Sequence, residues 1–511
     1  MNLMTEPLIQ TDQGMQSLPG LLAAMARGEV TSFPALRPHQ RPAWHMFLVQ
    51  LSTLALSHAG ATDLPEDEES WRAALRELTA DFPDDAPWHL VVEDRGKPAF
   101  LQPPDPGDLR WHEVATPDAL DMLITSRNHD LKREIAHDAA LQDWIFALVS
   151  LQTMEGFGGA GNYGVARMNG GSSSRVMIAL APATGGGRVI DPSAWWRREV
   201  KHLLSGRDGL SGQALLWCRS WPEGQQLDLP GLDPLFIEVC RRVRLTEGDG
   251  GLHAERTTSK AARIAAKEAK GITQDPWAPV HLGEAKTLTL GERDWTYGLL
   301  TELLYSGKWQ MPPLAKEAPQ EKDGAMVLVA EAFARGNSKT DGFKSRVIPV
   351  PKAVRKVMFD TEAIDLSDEQ INRIDQMDKA LRDGLALIAA EGVREKLGKA
   401  EYARTAPAQA ALHRVADALF FPTLWDKLAA GSKDGRHEAH MRFLRKLAQA
   451  ARDEFTRAAP GIPCARIMRP RAEVRGLDSD QRLRYRQVKE LGRRMDLADG
   501  VPAPALADGW Q

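Results

Sequence analysis

Glycine dominates the most unusual segment of this chain, with seven glycines in the sixteen residues 156–171. Glycine loses more conformational entropy on folding than other residues, so this density predicts backbone that adopts positive φ or is closely approached by another molecule. Arg167 and Arg175 lie beside and behind the run, and both could complement an anion. An irregular surface loop is the alternative interpretation.

The run contains Gly156-x-Gly158-x-x-Gly161, which matches the dinucleotide fingerprint. That fingerprint needs a strand before it, a helix after it and an acidic residue roughly 20 positions further on. Residues 140–154 instead predict a helix, and the first acidic residue after the run is Asp191. No cofactor is therefore predicted, and a nucleotide-cofactor-dependent enzyme using this loop remains the alternative.

A second group of candidate residues is cationic. Their spacing of 4, 3, 4 and 3 predicts one basic stripe on a helix, which could follow phosphates and neutralise them. These residues are Arg256, Lys260, Arg263, Lys267 and Lys270. A solvated helix face is the alternative interpretation.

A third candidate lies between two β-like runs, Ala325–Ala334 and Lys344–Val350. The intervening residues 335–343 are rich in turn formers, which predicts a β-hairpin with a long tip. Asn337, Ser338 and Lys339 at that tip could hydrogen-bond to base edges or phosphates. A hairpin exposed only to solvent is equally compatible with the pattern.

Catalytic constellations are missing from the sequence. It has no Walker lysine loop, no nucleophile elbow and no paired-acid signature, and His437 and His440 stand one residue short of the zincin spacing. Three widely spaced cysteines form neither a disulfide framework nor a zinc site. The sequence therefore favours a binding function over catalysis, and it predicts no metal site.

Composition places the chain among ordinary soluble proteins. Its 511 residues are 43% hydrophobic and 26% charged, with a net charge of −4. No apolar run is long enough to span a membrane and no signal peptide opens the chain, so we expect a cytoplasmic protein. The acidic stretch 62–85 contrasts with basic stretches further on, which favours one oriented binding face.

Periodicity predicts an α+β fold. Residues 1–358 are expected to form a large, irregular N-terminal α+β domain of short strands and helices separated by Gly- and Pro-rich loops. Helices are predicted at 19–27, 40–58, 68–80, 194–204 and 293–305, and strands at 88–93, 175–182, 212–219 and 235–245.

Residues 359–511 are expected to form a C-terminal four-helix bundle. Ser367 and Gln370 suggest a capping box at the start of the first helix. The other helices are predicted at 405–430, 435–459 and 478–497. Basic residues of the last helix are hypothesised to contact DNA or a partner subunit, namely Arg482, Arg484, Arg486 and Lys489.

Four segments together give the chain a resemblance to the CasA family, the large subunit of the type I-E CRISPR Cascade complex. The order of these segments and the helical C-terminus match that family across nearly the whole chain. The segments are Ser126–Arg133, Gly156–Gly159, Thr258–Ile264 with Asp275–Pro279, and Arg335–Pro349.

The resemblance implies a non-catalytic, crRNA-guided role. Such subunits lie beside the crRNA 5′ end, recognise the PAM in double-stranded target DNA and help open it for R-loop formation. They also offer a docking surface to a recruited helicase–nuclease. The implied partners are thus other Cascade subunits, crRNA, DNA and that nuclease, with no membrane. A helical scaffold that binds RNA or protein is a further alternative.

The resemblance also assigns residues. The glycine loop, with Gly156, Gly158 and Gly159, is expected at the PAM minor groove, assisted by a basic residue that the match leaves open between Lys260, Arg263 and Lys267. Residues 337–339 correspond to a wedge that splits the first base pairs, although some members have glutamine where this chain has Ser338. Supporting nucleic-acid contacts are expected from Asn128, Lys132, Arg133, Arg335 and Lys344. The cysteine-rich zinc element of some members is absent from this sequence.

Overall fold

A computed structural model describes most of the chain, namely residues 1–107, 109–121, 139–187, 189–207, 209, 211–248, 251–318, 324–336 and 339–479. Asn128, Lys132 and Arg133 lie outside the described residues, as do most of the predicted helix 478–497 and its four basic residues. The chain divides into two compact units, Met1–Trp295 with Glu302–Lys352, and Thr296–Thr301 with Ala353–Gln511. The first mixes helices with small sheets and the second is helical, which confirms the predicted fold class.

The first unit is organised around the helix Arg41–His58, in which every residue from Pro42 to Ser57 is buried. A helix that is apolar on nearly all sides must be surrounded, and Pro192–Leu204 and Leu141–Met154 pack against it. The helices in the described part of this unit, counting one that continues into the second unit, are Leu18–Arg27, Arg41–His58, Glu68–Glu77, Pro117–Leu120, Leu141–Met154, Pro192–Leu204 and Tyr297–Tyr305.

The strands of this unit form several small sheets. The largest has the order Lys339–Val350, Ala325–Gly336, Met177–Thr184 and Val189–Ile190, and all its pairings are antiparallel. A three-stranded sheet joins His112–Val114, Gly251–Thr257 and Arg242–Gly248. The remaining strands are Ile9–Thr11 with Gly14–Gln16, Gln213–Leu215 with Leu232–Ile237, Leu227–Asp228 with Ile264–Ala265, and Val280–His281 between Lys286–Thr287 and Trp309–Gln310.

The strand predicted at 88–93 is wrong. Ala86–Trp88 form a 3-10 turn, and beyond it His89 makes a single bridge to Asn2. The indole of Trp88 is fully buried and donates to the Thr79 hydroxyl, so tertiary packing rather than sheet pairing fixes this apolar stretch.

The hairpin predicted between residues 325 and 350 is present, but its tip is shorter than expected. The two strands stay paired as far as Gly336 and Lys339, so that only residues 337–338, outside the described part, lie between them. The register shifts at Ala334/Arg335, opposite Gly342 with a φ of +102°. This bulge lets the ladder continue through a sequence rich in turn formers.

The second unit contains long helices at Thr361–Ala389, Ala406–Ala429 and Lys433–Ala458, and a further helical stretch at 469–479. Shorter helices span Lys352–Arg355, at its edge, and Lys399–Ala403. The predicted capping box is wrong, because the first long helix begins after Asp360 and buries both Ser367 and Gln370 in its interior. No helix in the described part of the chain is both long and apolar enough to cross a membrane.

Candidate nucleic-acid interface

The glycine-rich segment leaves the end of helix Leu141–Met154 and returns to it as a closed loop. Glu155 forms a bridge with Ser174, and the Phe157 amide donates to the Gly171 carbonyl at 2.8 Å. A helix precedes this loop, and no helix follows it among the described residues 155–187. A dinucleotide site needs a strand before the glycine loop and a helix after it. This loop therefore lacks the flanking elements that the nucleotide-cofactor alternative requires.

Some glycines of the segment serve internal packing. A Cβ on Gly156 would collide with the Ser173 carbonyl and lie 2.7 Å from that of Gly171. A Cβ on Gly164 would lie 2.6 Å from the carbonyl carbon of Gly156. Gly156 is buried and therefore holds the loop together, in place of the predicted contact with DNA.

Gly158, which is exposed, and Gly159, which is partly exposed, form the outer end of the loop. The Gly158 amide donates to the Asn162 carbonyl at 2.8 Å, and the Asn162 amide donates to the Gly159 carbonyl at 2.9 Å. Gly159 has a φ of +114° and open space where a Cβ would stand. A positive φ strongly favours glycine, so this turn presents bare backbone to the surface.

Lys260 lies beside this glycine turn. The Ser259 amide donates to the Gly161 carbonyl at 3.0 Å, and the Tyr163 hydroxyl donates to the Lys260 carbonyl at 3.1 Å. The Lys260 side chain is exposed. The fold thus brings together Gly158, Gly159 and Lys260, three of the predicted site residues.

The predicted basic helix is wrong. Gly251–Thr257 is a strand paired with Arg242–Gly248, and the chain then runs through a loop into the short strand Ile264–Ala265. The five basic residues therefore do not share a helix face. Their spacing fits a helix, but strand pairing over the first part of the segment decides the local structure.

Arg263 is buried, with 3% of its surface exposed, and its guanidinium donates to the carbonyls of Ser220 at 2.9 Å and Arg219 at 3.0 Å. Burial lowers its pKa to about 10. Arg263 therefore has a structural role rather than the predicted DNA contact, whereas Lys267 is exposed.

The two arginines expected to complement an anion are also buried. Arg175 makes two hydrogen bonds to the Asp275 carboxylate, at 2.5 and 2.6 Å. Arg167 donates to the carbonyls of Phe236 at 2.8 Å and Pro234 at 3.1 Å, and burial lowers its pKa to about 10. Arg175 thus complements a carboxylate of the chain itself, and both guanidiniums are too deeply buried to meet an anion from outside.

Sequence reasoning missed two charged residues behind the glycine loop. The Ala166 amide donates to both carboxylate oxygens of Glu238, at 2.8 and 2.9 Å, and burial raises the pKa of Glu238 to about 7. Arg241 donates to the Gly156 carbonyl at 2.7 Å. The available signal was one acid and three arginines within the otherwise apolar run 235–245.

The hairpin is attached to the same loop. The Ser174 amide donates to the Phe333 carbonyl at 3.2 Å, and the Phe333 amide donates to the Ser174 hydroxyl at 2.7 Å. Pairing with the neighbouring strand ends at Glu331, so the hairpin continues beyond the sheet as two strands only. Among the residues predicted to make supporting nucleic-acid contacts, Lys344 lies at the base of the hairpin, with its ammonium 2.6 Å from the Asp294 carboxylate. Arg335 and Lys339 lie on the two strands next to the tip.

Solved structures of CasA and Cse1 resemble this chain over nearly its whole length. CasA of Thermus thermophilus is 15% identical with a TM-score of 0.64, covering 95% of this chain and 99% of that one. The CRISPR-associated protein Cse1 from Acidimicrobium ferrooxidans is 16% identical with a TM-score of 0.63, covering 96% and 99%. Thermobifida fusca Cse1 is 12% identical with a TM-score of 0.62, covering 97% and 98%.

The chain has the CasA fold. The resemblance inferred from four short sequence segments is thereby confirmed at the level of the fold. No family sequence model matches the chain, and no curated protein matches it by sequence. At identities of 12–16% the CasA fold accommodates largely different residues, so the residue assignments depend on the geometry described above.

Proposed function

We propose that this protein is the non-catalytic large subunit of a crRNA-guided Cascade complex, which recognises the PAM in duplex DNA. The observation that carries the proposal is the Gly158–Gly159 turn at the surface beside Lys260, in a chain with the CasA fold. In this role the protein is cytoplasmic, assembles with crRNA and the other Cascade subunits, and offers a docking surface to the recruited helicase–nuclease.

The glycine turn suits a minor groove for physical reasons. Backbone without side chains can approach the floor of a groove about 6 Å wide, where A·T and T·A pairs present similar acceptors. Lys260 adds a cation that neutralises a neighbouring phosphate. We therefore expect the site to accept several PAM sequences and to reject few.

Gly159→Asp tests this assignment, because it adds both bulk and negative charge at the proposed contact. Gly14→Asp is the matched control, since Gly14 is exposed, has a φ of +103° and likewise has open space for a Cβ. We expect the assembled complex carrying Gly159→Asp to lose PAM-dependent duplex binding, and the control to retain it. Wild-type PAM selectivity in a normally assembled Gly159→Asp complex would refute the assignment.

The hairpin carries the second part of the proposal, the opening of the duplex. Asn337, Ser338 and Lys339 are proposed to enter beside the first target base pair, while Arg335 next to the tip and Lys344 at the base hold phosphates. The long two-stranded ladder and its attachment to Ser174 support this role, because a wedge must stay rigid while the bases unstack.

A further inference from the structure

Three long helices of the helical unit share a cluster of polar side chains, here called the bundle cluster. Helix Thr361–Ala389 supplies three of them, helix Ala406–Ala429 one, and helix Lys433–Ala458 two. The residues are Ser367, Glu369, Arg373, Lys427, His437 and His440. The Lys427 and His440 side chains are 1% and 5% exposed, whereas Glu369, at 39%, lies where the cluster meets solvent.

Several buried polar atoms of the bundle cluster make no hydrogen bond. Neither ring nitrogen of His440 makes a hydrogen bond, and neither do the Ser367 hydroxyl, Arg373 Nε or His437 Nδ1, although all these atoms are buried. His440 Nδ1 lies 3.4 Å from Glu369, but without hydrogen-bond geometry. A neutral imidazole always has one donor and one acceptor nitrogen, and buried polar groups in proteins are almost always paired. These atoms on three helices therefore have hydrogen-bonding capacity that a bound ligand could use.

The charges indicate the sign of that partner. Lys427 donates to Glu369 at 3.2 Å, and this single acid faces two fixed cations, Lys427 and Arg373. Burial, together with those cations, lowers the pKa of His440 to about 4, so its imidazole is neutral near pH 7. The cluster thus combines excess positive charge with unused donors on several sides.

We propose that the bundle cluster binds a small oxyanion of the phosphate class. A phosphate accepts several hydrogen bonds at once and offsets the excess positive charge, whereas water would leave that charge uncompensated. A metal cation would be repelled by Lys427 and Arg373, and the described residues contain no group of three side chains suited to hold one. The depth of Lys427 and His440 restricts the ligand to a small, free anion.

Thermal unfolding of the full-length protein tests the proposal, with inorganic phosphate as the probe and NaCl at matched ionic strength as the reference. A ligand that binds only the folded state raises Tm with its concentration, so we expect a phosphate-specific rise in the wild type. Lys427→Met should weaken phosphate binding at least tenfold, because a charge-assisted bond is lost. Lys446→Met, at an exposed position on helix Lys433–Ala458, should bind phosphate like the wild type.

NMR titration of the His440 ring provides a second measurement on unmodified protein. Bound phosphate should raise the pKa of His440, because a nearby anion favours the imidazolium. Equal Tm shifts in phosphate and NaCl, with an unchanged His440 pKa, would mean that the cluster holds only water and would overturn the proposal. If Lys427→Met fails to fold, the two wild-type measurements decide between these outcomes.

Discussion

Phe157 is the large apolar side chain that the glycine loop leaves on the surface, with 42% of its area exposed. It stands between Gly156 and Gly158, and its ring centre is 6.4 Å from that of Tyr163, whose hydroxyl bonds to the Lys260 carbonyl. Proteins that bind the minor groove often insert an apolar wedge between base steps and bend the duplex. Phe157 is placed to do this beside the proposed PAM contact.

Phe157→Ala should reduce the bending of PAM-containing duplex DNA and weaken its binding about tenfold, because the inserted ring would be lost. Energy transfer between labelled duplex ends in the assembled complex measures the bend. Leu282→Ala is the control, since Leu282 is 59% exposed elsewhere on the same unit. An unchanged bend in Phe157→Ala would leave that ring without a role in recognition.

Lys260 and Lys267 can be separated by the salt dependence of binding. A lysine that neutralises one phosphate contributes about one to the slope of log affinity against log salt. Because Lys260 adjoins the glycine turn, Lys260→Ala should lower the slope by about one, whereas Lys267→Ala should leave it unchanged. The reverse result would assign the contact to Lys267.

Glu238 should make stability depend on pH. Its pKa is raised from 4.5 to about 7 in the folded protein, so the folded state favours the protonated acid. The stabilisation that protonated Glu238 contributes is fully present below pH 4.5 and is lost as pH rises to about 7. Over this range it changes the free energy of unfolding by about 3 kcal/mol. Glu238→Gln should therefore gain stability over wild type across this window, as measured by urea unfolding. A constant difference between the two proteins from pH 4 to pH 8 would contradict the assignment.

The hairpin is the element whose function can be tested most directly. Opening DNA must overcome stacking of about 1.4 kcal/mol per base-pair step, and a rigid inserted tip could offset part of that cost. Replacing residues 337–339 by alanine should slow R-loop formation on duplex targets, and much less on targets unpaired next to the PAM. Equal slowing on both substrates would indicate a role in general affinity instead.

Elements with a clear apolar period were predictable from sequence. Leu18–Arg27, Arg41–His58 and Leu141–Met154 lie within one or two residues of their predicted bounds, because one continuous apolar pattern decides each of them. The helix predicted for the basic segment 256–270 was wrong, because strand pairing overrode the helical spacing of its charges. Ser367 was wrongly predicted as the N-cap, because packing extends the helix upstream to Thr361.

The candidate site was predictable as a segment but not residue by residue. Glycine density identified the loop, yet whether Gly156 is buried depends on carbonyls at Gly171 and Ser173. The role of Arg175 depends on Asp275, which is 100 positions away in sequence. No local pattern encodes such a contact, so buried and exposed cations look alike in the sequence.

At the scale of the whole molecule, the two compact units are not continuous in sequence. Thr296–Thr301 belongs to the helical unit, although it is flanked on both sides by residues of the first. Within the helical unit, Tyr297 stacks on Phe420 at 5.0 Å and its hydroxyl lies 3.0 Å from His413 Nδ1. The proposed domain boundary at residue 358 would separate this tyrosine from the helix it packs against.

Tyr297→Ala should therefore destabilise the helical unit of the full-length protein by about 3 kcal/mol, as expected for removing a buried aromatic side chain. Calorimetry measures the loss. Tyr402→Ala is the control, because Tyr402 is only partly buried and its ring centre lies 5.0 Å from the Arg382 guanidinium. A fragment of residues 359–511 lacks Tyr297 altogether, so it should resemble the Tyr297→Ala variant in stability. If the fragment instead matches the helical unit of the intact chain, Thr296–Thr301 contributes nothing to it, and the boundary at 358 describes an independent domain.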